Sequence, residues 1–167
     1  MDSSPDHVDV IQAEWRRERP DLDPSPQAVI GRLHRVAGAL MAHLEANYRA
    51  FGLAESEFDL LAALRRAGDP FERAAGELAD HTMVTTGGLS KRVDRLEARG
   101  LVQRRVEASD GRRRLIGLTP AGRDLIDRAI EAHLEIEHRL MDELGEKDAA
   151  SLEQSLTRWL RVLDTPS

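Results

Sequence analysis

Apolar side chains recur every three or four residues towards both ends of the chain, and this spacing predicts amphipathic helices. A short helix is expected first, and a long second helix is expected from Pro26 to a point before Gly52. Two further amphipathic helices are predicted at the end of the chain. One follows Thr119, which is a suitable N-cap, and the other follows Gly145. The apolar face of the first helix consists of Val8, Ile11 and Trp15.

The middle of the chain combines helices with a short β segment. Ser56 can cap a third helix, a short helix is predicted around Glu72 to His81, and a longer one from about Thr86 to Arg99. Two flanks rich in valine, leucine and isoleucine, 101–106 and 114–118, surround a turn signal and predict a β-hairpin. The predicted fold class is therefore mostly α with a small β-hairpin wing: a winged helix-turn-helix with long terminal helices.

These elements divide the chain into three predicted parts. Residues 1–50 hold an extra N-terminal helix and a dimerisation helix, residues 54–119 form a winged helix-turn-helix DNA-binding domain, and residues 120–167 supply C-terminal dimerisation helices. The long striped helices lack an obvious partner within so small a domain, and two-fold pairing of identical chains is the commonest way to cover such faces. A homodimer is therefore expected.

The distribution of charge modifies what the composition suggests. A formal net charge of −6 argues weakly against nucleic-acid binding. The segment from Thr82 to Thr119, however, holds nine lysines and arginines against four acids, so it carries +5 while the remainder carries −11. Phosphate binding by one module needs such a basic segment, although a solvated charged surface has the same composition.

The predicted helix from Thr86 has the residue types of a DNA recognition helix. Leu89, Val93 and Leu96 share one face, so the polar side chains between them point outward. Threonine hydroxyls and bare glycine backbone at the start allow close approach to DNA, and a helix N-terminus favours phosphate. An ordinary surface helix is the alternative. The predicted DNA contacts in this segment are Thr85, Thr86, Gly87, Gly88, Ser90, Lys91 and Arg95.

Three consecutive arginines occupy the predicted hairpin tip. Arg112, Arg113 and Arg114 complete the predicted DNA-binding set, because arginine suits a narrow and electronegative minor groove. Asp110 can hold Arg112 extended through a charge-assisted contact. A basic loop without function has the same sequence, but it would not follow a recognition helix. DNA binding is therefore preferred over a winged helix that serves only protein contacts.

Several other classes of function are excluded or disfavoured. The chain has no cysteine, which rules out disulfides and thiolate chemistry. It has no nucleophile elbow, phosphate loop or dinucleotide fingerprint, so neither an enzyme nor a cofactor is expected. No run of about 18 apolar residues predicts a membrane span, and the acidic start lacks a signal segment, so a cytoplasmic location is expected. Histidines on the long helices lack metal-ligand spacing, so we expect them at a surface or interface and expect no metal. They are His34, His43, His133 and His138.

A set of short motifs resembles the MarR family of transcription regulators in order and spacing, across nearly the whole chain. The resemblance implies a homodimer that reads double-stranded DNA at a pseudo-palindromic operator, with half-sites roughly 10 base pairs apart, and repression that a ligand relieves. The motifs are Glu77-Leu78-Ala79, Leu96-Glu97-Ala98-Arg99-Gly100-Leu101-Val102, Asp110-Gly111-Arg112 and Leu118-Thr119-Pro120-Ala121-Gly122.

Two other segments, 15–23 and 83–88, resemble the urate-responsive branch of that family, the PecS- and HucR-like regulators. In that branch a tryptophan, an aspartate and two arginines form the ligand set, which implies Trp15, Asp59, Arg92 and Arg104 here. A tryptophan can stack on a planar ring, and arginine offers a donor fork to an anion. A small anionic effector such as urate is expected, with another aromatic or carboxylate ligand as the alternative. Trp15 as a core anchor and Asp59 as a structural ion pair stay open.

Overall fold

The computed structural model describes residues 4–80, 82, 88–106 and 114–165, which form two compact units, 1–45 and 46–167. In the described residues, a mostly helical chain is combined with a small antiparallel sheet, so the predicted fold class is confirmed. No helix in these ranges is long and apolar enough to cross a membrane. The described elements are α1 (His7–Glu18), α2 (Gln27–Ala50), α3 (Glu55–Arg65), β1 (Glu72–Ala74), α4 (Ala75–Asp80), α5 (Leu89–Ala98), β2 (Val102–Val106), β3 (Arg114–Leu118), α6 (Pro120–Leu144) and α7 (Glu146–Leu163).

In the first unit, polar contacts fix α1 to the start of α2. Asp6 caps α1 by accepting hydrogen bonds from the backbone N–H groups of Val8 and Asp9, at 2.7 and 3.0 Å. Arg32 of α2 forms ion pairs with Asp6 and Asp9, each at 2.7 Å. The Asp9 N–H, and after it the Arg32 guanidinium, hold the pKa of Asp6 below its ordinary value. The entry of the chain into α2 is thus set by charged groups at the surface.

In the second unit, α3 is the central helix. Every residue from Glu57 to Leu64 is buried, and α3 packs against α4, α5, α6 and the sheet. The strand order is β1-β3-β2, with both pairs antiparallel. The predicted hairpin of β2 and β3 is therefore confirmed, with Val106 opposite Arg114. This sheet and α3 form the scaffold that carries α5.

Three local predictions were wrong. Glu72–Ala74, expected in a helix, forms β1 and pairs with β3. Ser56 does not cap α3: Ala54 is the N-cap residue, and the Glu57 carboxylate accepts its backbone N–H at 3.1 Å. The helix predicted from about Thr86 begins at Leu89, because Gly88 has a left-handed φ of 85° that cannot continue a helix.

A small aromatic cluster joins α2, α3 and α6 in the second unit. The rings of Tyr48 and Phe58 lie 4.6 Å apart, and His133 stacks on Tyr48 at 5.9 Å between centroids. The His133 side chain is only 12% exposed, and it also pairs with Glu137 at 3.1 Å. The expectation of an open surface position is therefore wrong for this histidine, because its ring packs inside the unit, whereas an interface position stays a prediction. Burial raises the pKa of Tyr48 to about 12, and the carboxylates of Glu55 and Glu137 add to this shift.

The only tyrosine of the chain allows a direct test of this cluster. Absorbance at the phenolate wavelength follows the ionisation of Tyr48. We expect it to give a pKa of about 12 in the folded protein and of about 10 in concentrated urea. Since the folded pKa is raised, the stabilisation is complete below pH of about 10 and is lost as pH rises from there through the folded pKa. Circular dichroism at each pH shows whether the chain is still folded. A midpoint near 10 in folded protein would contradict the buried position of Tyr48.

The start of α6 is seated directly on the chain that leads into β2. Thr119 caps α6 by accepting the Gly122 N–H at 3.0 Å, and its own N–H donates to the Leu101 carbonyl at 3.1 Å. Pro120 occupies the first helical turn, as predicted. A Cβ on Gly122 would lie 1.9 Å from the Leu101 oxygen, a distance that no packing allows.

Replacement of Gly122 by alanine is therefore expected to destabilise the protein by about 1–3 kcal/mol or more, because backbone must move to relieve the contact. Chemical denaturation measures the change. Gly76→Ala is the matched control, since a Cβ added there would meet no atom of the described residues within 4 Å, and alanine is the better helix former. Equal effects of the two substitutions would show that α6 does not approach Leu101 so closely.

Candidate nucleic-acid interface

The helix α5 has one buried face and one charged face. Val93 and Leu96 are buried, at 1% and 0% exposure, and they face the core of the second unit. Lys91, Asp94 and Arg95 are exposed, as the helical periodicity predicts. The hydrophobic and polar sides of α5 therefore lie where a recognition helix needs them, with the cationic side chains directed outward.

The structure describes part of the predicted DNA-binding set. Ser90 and Lys91 are exposed in the first turn of α5, and Gly88 precedes the helix. Arg114 is exposed at the first position of β3, on the side of the sheet towards the wing tip. Five predicted contacts and Asp110 lie outside the described residues; the five are Thr85, Thr86, Gly87, Arg112 and Arg113.

Arg104 of β2 ties the wing to α5. Its Nη2 group donates to Asp94 at 2.5 Å and to the Ser90 carbonyl at 3.4 Å, and its Nη1 group donates to Glu97. The backbone N–H of Arg104 also donates to Glu97, at 3.1 Å. The pKa of Arg104 lies above its ordinary value: burial opposes the shift, but the bonds to Asp94 and Glu97 outweigh it. One side chain thus bridges the second strand and two acids of the helix.

A crevice of about 280 Å³ opens beside this bridge. Leu89, Val93 and Ile116 supply much of its apolar lining, while Arg104 and Arg114 contribute cationic groups. The crevice lies between the first turns of α5 and the sheet. An anion with an apolar body would find complementary groups there, and it would contact the residue that bridges helix and wing.

The other members of the predicted ligand set lie in both units. Asp59 is buried in α3 at 7% exposure, and Arg92 is half-buried in α5, which packs on α3. Trp15 belongs to the first unit, where it is 44% exposed. It borders an apolar crevice of about 300 Å³ together with Leu22, Pro24 and Pro26. Asp59 and Arg104 therefore lie on elements that pack against α5, which carries Arg92, and Trp15 has an accessible ring.

Glu57 is a site residue that the sequence analysis missed. Its side chain is 8% exposed, and it forms ion pairs with Arg95 of α5 at 2.9 Å and with Arg99, the C-cap residue of α5, at 3.4 Å. The available signal was an acid at the start of an otherwise apolar helix, Glu57-Phe58-Asp59-Leu60-Leu61. A carboxylate in such a position needs a cationic partner.

Metal ligation has no support in the described part of the chain, where no three histidine, aspartate or glutamate side chains converge to hold an ion. His133 instead contacts Tyr48 and Glu137. The candidate site is therefore one of arginines, acids and apolar side chains around α5.

Comparison with known proteins agrees with this geometry. A model of the MarR family matches residues 51–113, which include α3, α5 and β2. The HTH-type transcriptional regulator PecS of Dickeya dadantii (strain 3937) is 37% identical over 150 residues, which are 90% of either chain. The crystal structure of AbsC, a MarR family transcriptional regulator from Streptomyces coelicolor, is similar with a TM-score of 0.76 at 25% identity, over 85% of this chain and 96% of that one.

A further MarR family transcriptional regulator from Streptomyces coelicolor, solved in complex with DNA, has the same TM-score of 0.76 at 25% identity, over 86% of this chain and 91% of its own. The fold and the site define a winged-helix transcription regulator that binds DNA. The chain belongs to the MarR family. The predictions of this family, and of a function other than catalysis, are confirmed.

DNA binding through a basic face must depend steeply on salt, because each neutralised phosphate releases counterions. We expect affinity for upstream DNA, measured by fluorescence anisotropy, to fall about a hundredfold between roughly 50 and 200 mM salt, which corresponds to about four phosphate contacts. Lys91→Gln is expected to reduce the slope by about one. A salt-independent affinity would contradict the basic interface and favour apolar contacts with another partner.

Proposed function

We propose that this chain is a homodimeric repressor that acts in the cytoplasm, binds a pseudo-palindromic operator through α5 and the wing, and releases it on binding a small anionic ligand such as urate. DNA binding follows from the family. The repressor role, the dimer and the ligand are the proposal. Operator half-sites are expected about one DNA turn apart, roughly 10 base pairs.

The observation that carries the ligand proposal is the bridge made by Arg104. The same guanidinium holds Asp94 and Glu97 of α5 and borders the crevice beside them. A ligand carboxylate or enolate competes with these two acids for the donor fork, since arginine binds planar anions through paired N–H groups. Loss of the bridge frees α5 from β2, and the two DNA-contacting elements then no longer keep a fixed spacing.

The remaining members of the set have side chains suited to an aromatic anion. Trp15 is exposed enough to stack on a planar ring, and Arg92 lies on the half-buried side of α5 next to the helix that carries Asp59. An anion close to a buried carboxylate is repelled by it, so binding near Asp59 would put strain on α5. The similarity to PecS supports urate as the first compound to test.

The exposed apolar residues of the C-terminal helices support a dimer. On α6 and α7 a row of large side chains is between 39% and 67% exposed, which is unusual for a monomer surface. Burial against a second copy would remove them from water, and each fully buried leucine contributes about 1.5–3 kcal/mol. Light scattering is expected to give twice the chain mass. These side chains are Leu134, Met141, Leu144, Leu152, Leu160, Val162 and Leu163.

The decisive experiment measures anisotropy of the operator complex during titration with urate. We expect urate to release DNA from the unsubstituted protein, and we expect Arg92→Ala and Asp59→Asn to retain DNA binding while release requires at least tenfold more ligand, because one ligand contact is worth a factor of this size. Arg128→Gln on the outer side of α6 is the control and is expected to respond normally.

Release that is unchanged in both variants would overturn the ligand set. If urate does not release the DNA but another planar carboxylate does, urate is not the ligand, and the anion-responsive mechanism stands. Failure of every planar anion would overturn ligand control itself, whereas the family assignment to a DNA-binding regulator would stand on its own evidence.

A further inference from the structure

The buried carboxylate of Glu57 has an unusual set of partners. Its Oε1 atom accepts the Nε–H of Arg95 at 2.9 Å, while its Oε2 atom accepts the Ala54 N–H at 3.1 Å and an Nη1 hydrogen of Arg99 at 3.4 Å. Both arginines lie on or directly after α5, and Ala54 is the N-cap of α3. The carboxylate therefore fixes α5 to the first turn of α3.

The bond to Arg95 goes through Nε and not through the end of the guanidinium. This leaves the Nη1 and Nη2 groups, which have no acceptor within the described residues. The Arg95 side chain is 55% exposed whereas Glu57 is 8% exposed, so the carboxylate is buried while the guanidinium remains accessible from solvent. Two parallel N–H groups held in this way match a phosphate or a guanine edge.

We propose that Glu57 is a positioning residue for DNA recognition: it holds Arg95 by Nε so that the Nη fork faces the DNA. The proposal rests on α5 being the DNA-contacting helix. Arg95 lies in the second half of α5, where helix-turn-helix proteins contact the backbone more than the bases, so a phosphate is the expected acceptor. The conformational entropy of the long arginine side chain is then already lost in the free protein, so less entropy is lost when DNA binds.

The test is a double-mutant cycle on the full chain with operator DNA. Glu57→Gln keeps an oxygen for the Ala54 N–H but removes the charge, and we expect about fivefold to tenfold weaker binding; Arg95→Ala is expected to lose about tenfold or more. The double variant is expected to bind no more weakly than Arg95→Ala, within about twofold, because Glu57 acts through Arg95. Glu57→Gln and Arg95→Ala are each expected to reduce the salt slope by up to about one.

Arg99→Gln is the matched control. It removes the other partner of the same carboxylate, so a merely structural role of Glu57 would give it a similar loss of DNA affinity. We expect its affinity to stay within about twofold of the unsubstituted protein, while its thermal midpoint matches that of Glu57→Gln. An operator series with single guanines replaced tells the two acceptors apart. If Arg95→Ala weakens binding to every operator of the series except one, the guanine replaced in that operator is the acceptor. If Arg95→Ala weakens binding to all of them equally, the acceptor is a phosphate.

The outcomes are distinguishable. Full affinity in Arg95→Ala would overturn the placement of Arg95 at the DNA, and with it this inference. A loss in Arg95→Ala with full affinity in Glu57→Gln would overturn the positioning role alone. Glu57 would be a structural residue only in either of two cases. In the first, the affinity losses of the single variants multiply in the double variant; in the second, Arg99→Gln loses as much DNA affinity as Glu57→Gln.

Discussion

The orientation of α5 depends on ion pairs on two of its sides as well as on a narrow strip of apolar packing. Within this helix only Val93 and Leu96 are fully buried, and two such side chains contribute roughly 3–6 kcal/mol between them. The remaining restraints are charged. Glu57 of α3 holds one side through Arg95 and Arg99, and Arg104 of β2 holds the other side through two acids. A helix with so narrow an apolar strip depends on these ion pairs for its tilt.

The two restraints differ in strength because they differ in burial. Glu57 is nearly inaccessible, and removal of either arginine would leave a buried carboxylate less well compensated. Arg104 is 31% exposed and its acids are 38% and 62% exposed, so water and ions compete for these bonds. Exposed pairs contribute about 0–1 kcal/mol each. Under the proposed mechanism α5 therefore pivots on the Glu57 side, and a ligand at Arg104 needs only a modest free energy to release the other side.

The sequence predicted the elements whose signals are local and missed those that depend on distant partners. Thr119, Pro120 and Gly145 mark the ends of α6 because caps act within one turn. The three residues of β1 have no local strand signal, and they form a strand only because β3 pairs with them. Arg104 was predicted from resemblance, but its acids could not be, since the contact joins residues 7 and 10 positions apart across a helix-to-strand turn. Glu57 was missed because its partners lie about 40 positions away.

The acids of α5 give the Arg104 bridge an electrostatic role as well as a mechanical one. A helix that contacts phosphates gains nothing from Asp94 and Glu97 by themselves, because both repel DNA within a Debye length of about 8–10 Å. Arg104 offsets one of these two negative charges, so the outward cations Lys91 and Arg95 are opposed by less negative charge on this face. Under the proposed mechanism an anionic ligand on Arg104 cancels this offset without touching the cations that face outward. The same binding event would then loosen α5 and make its surface less positive, so the proposed release of DNA is favoured by both geometry and charge.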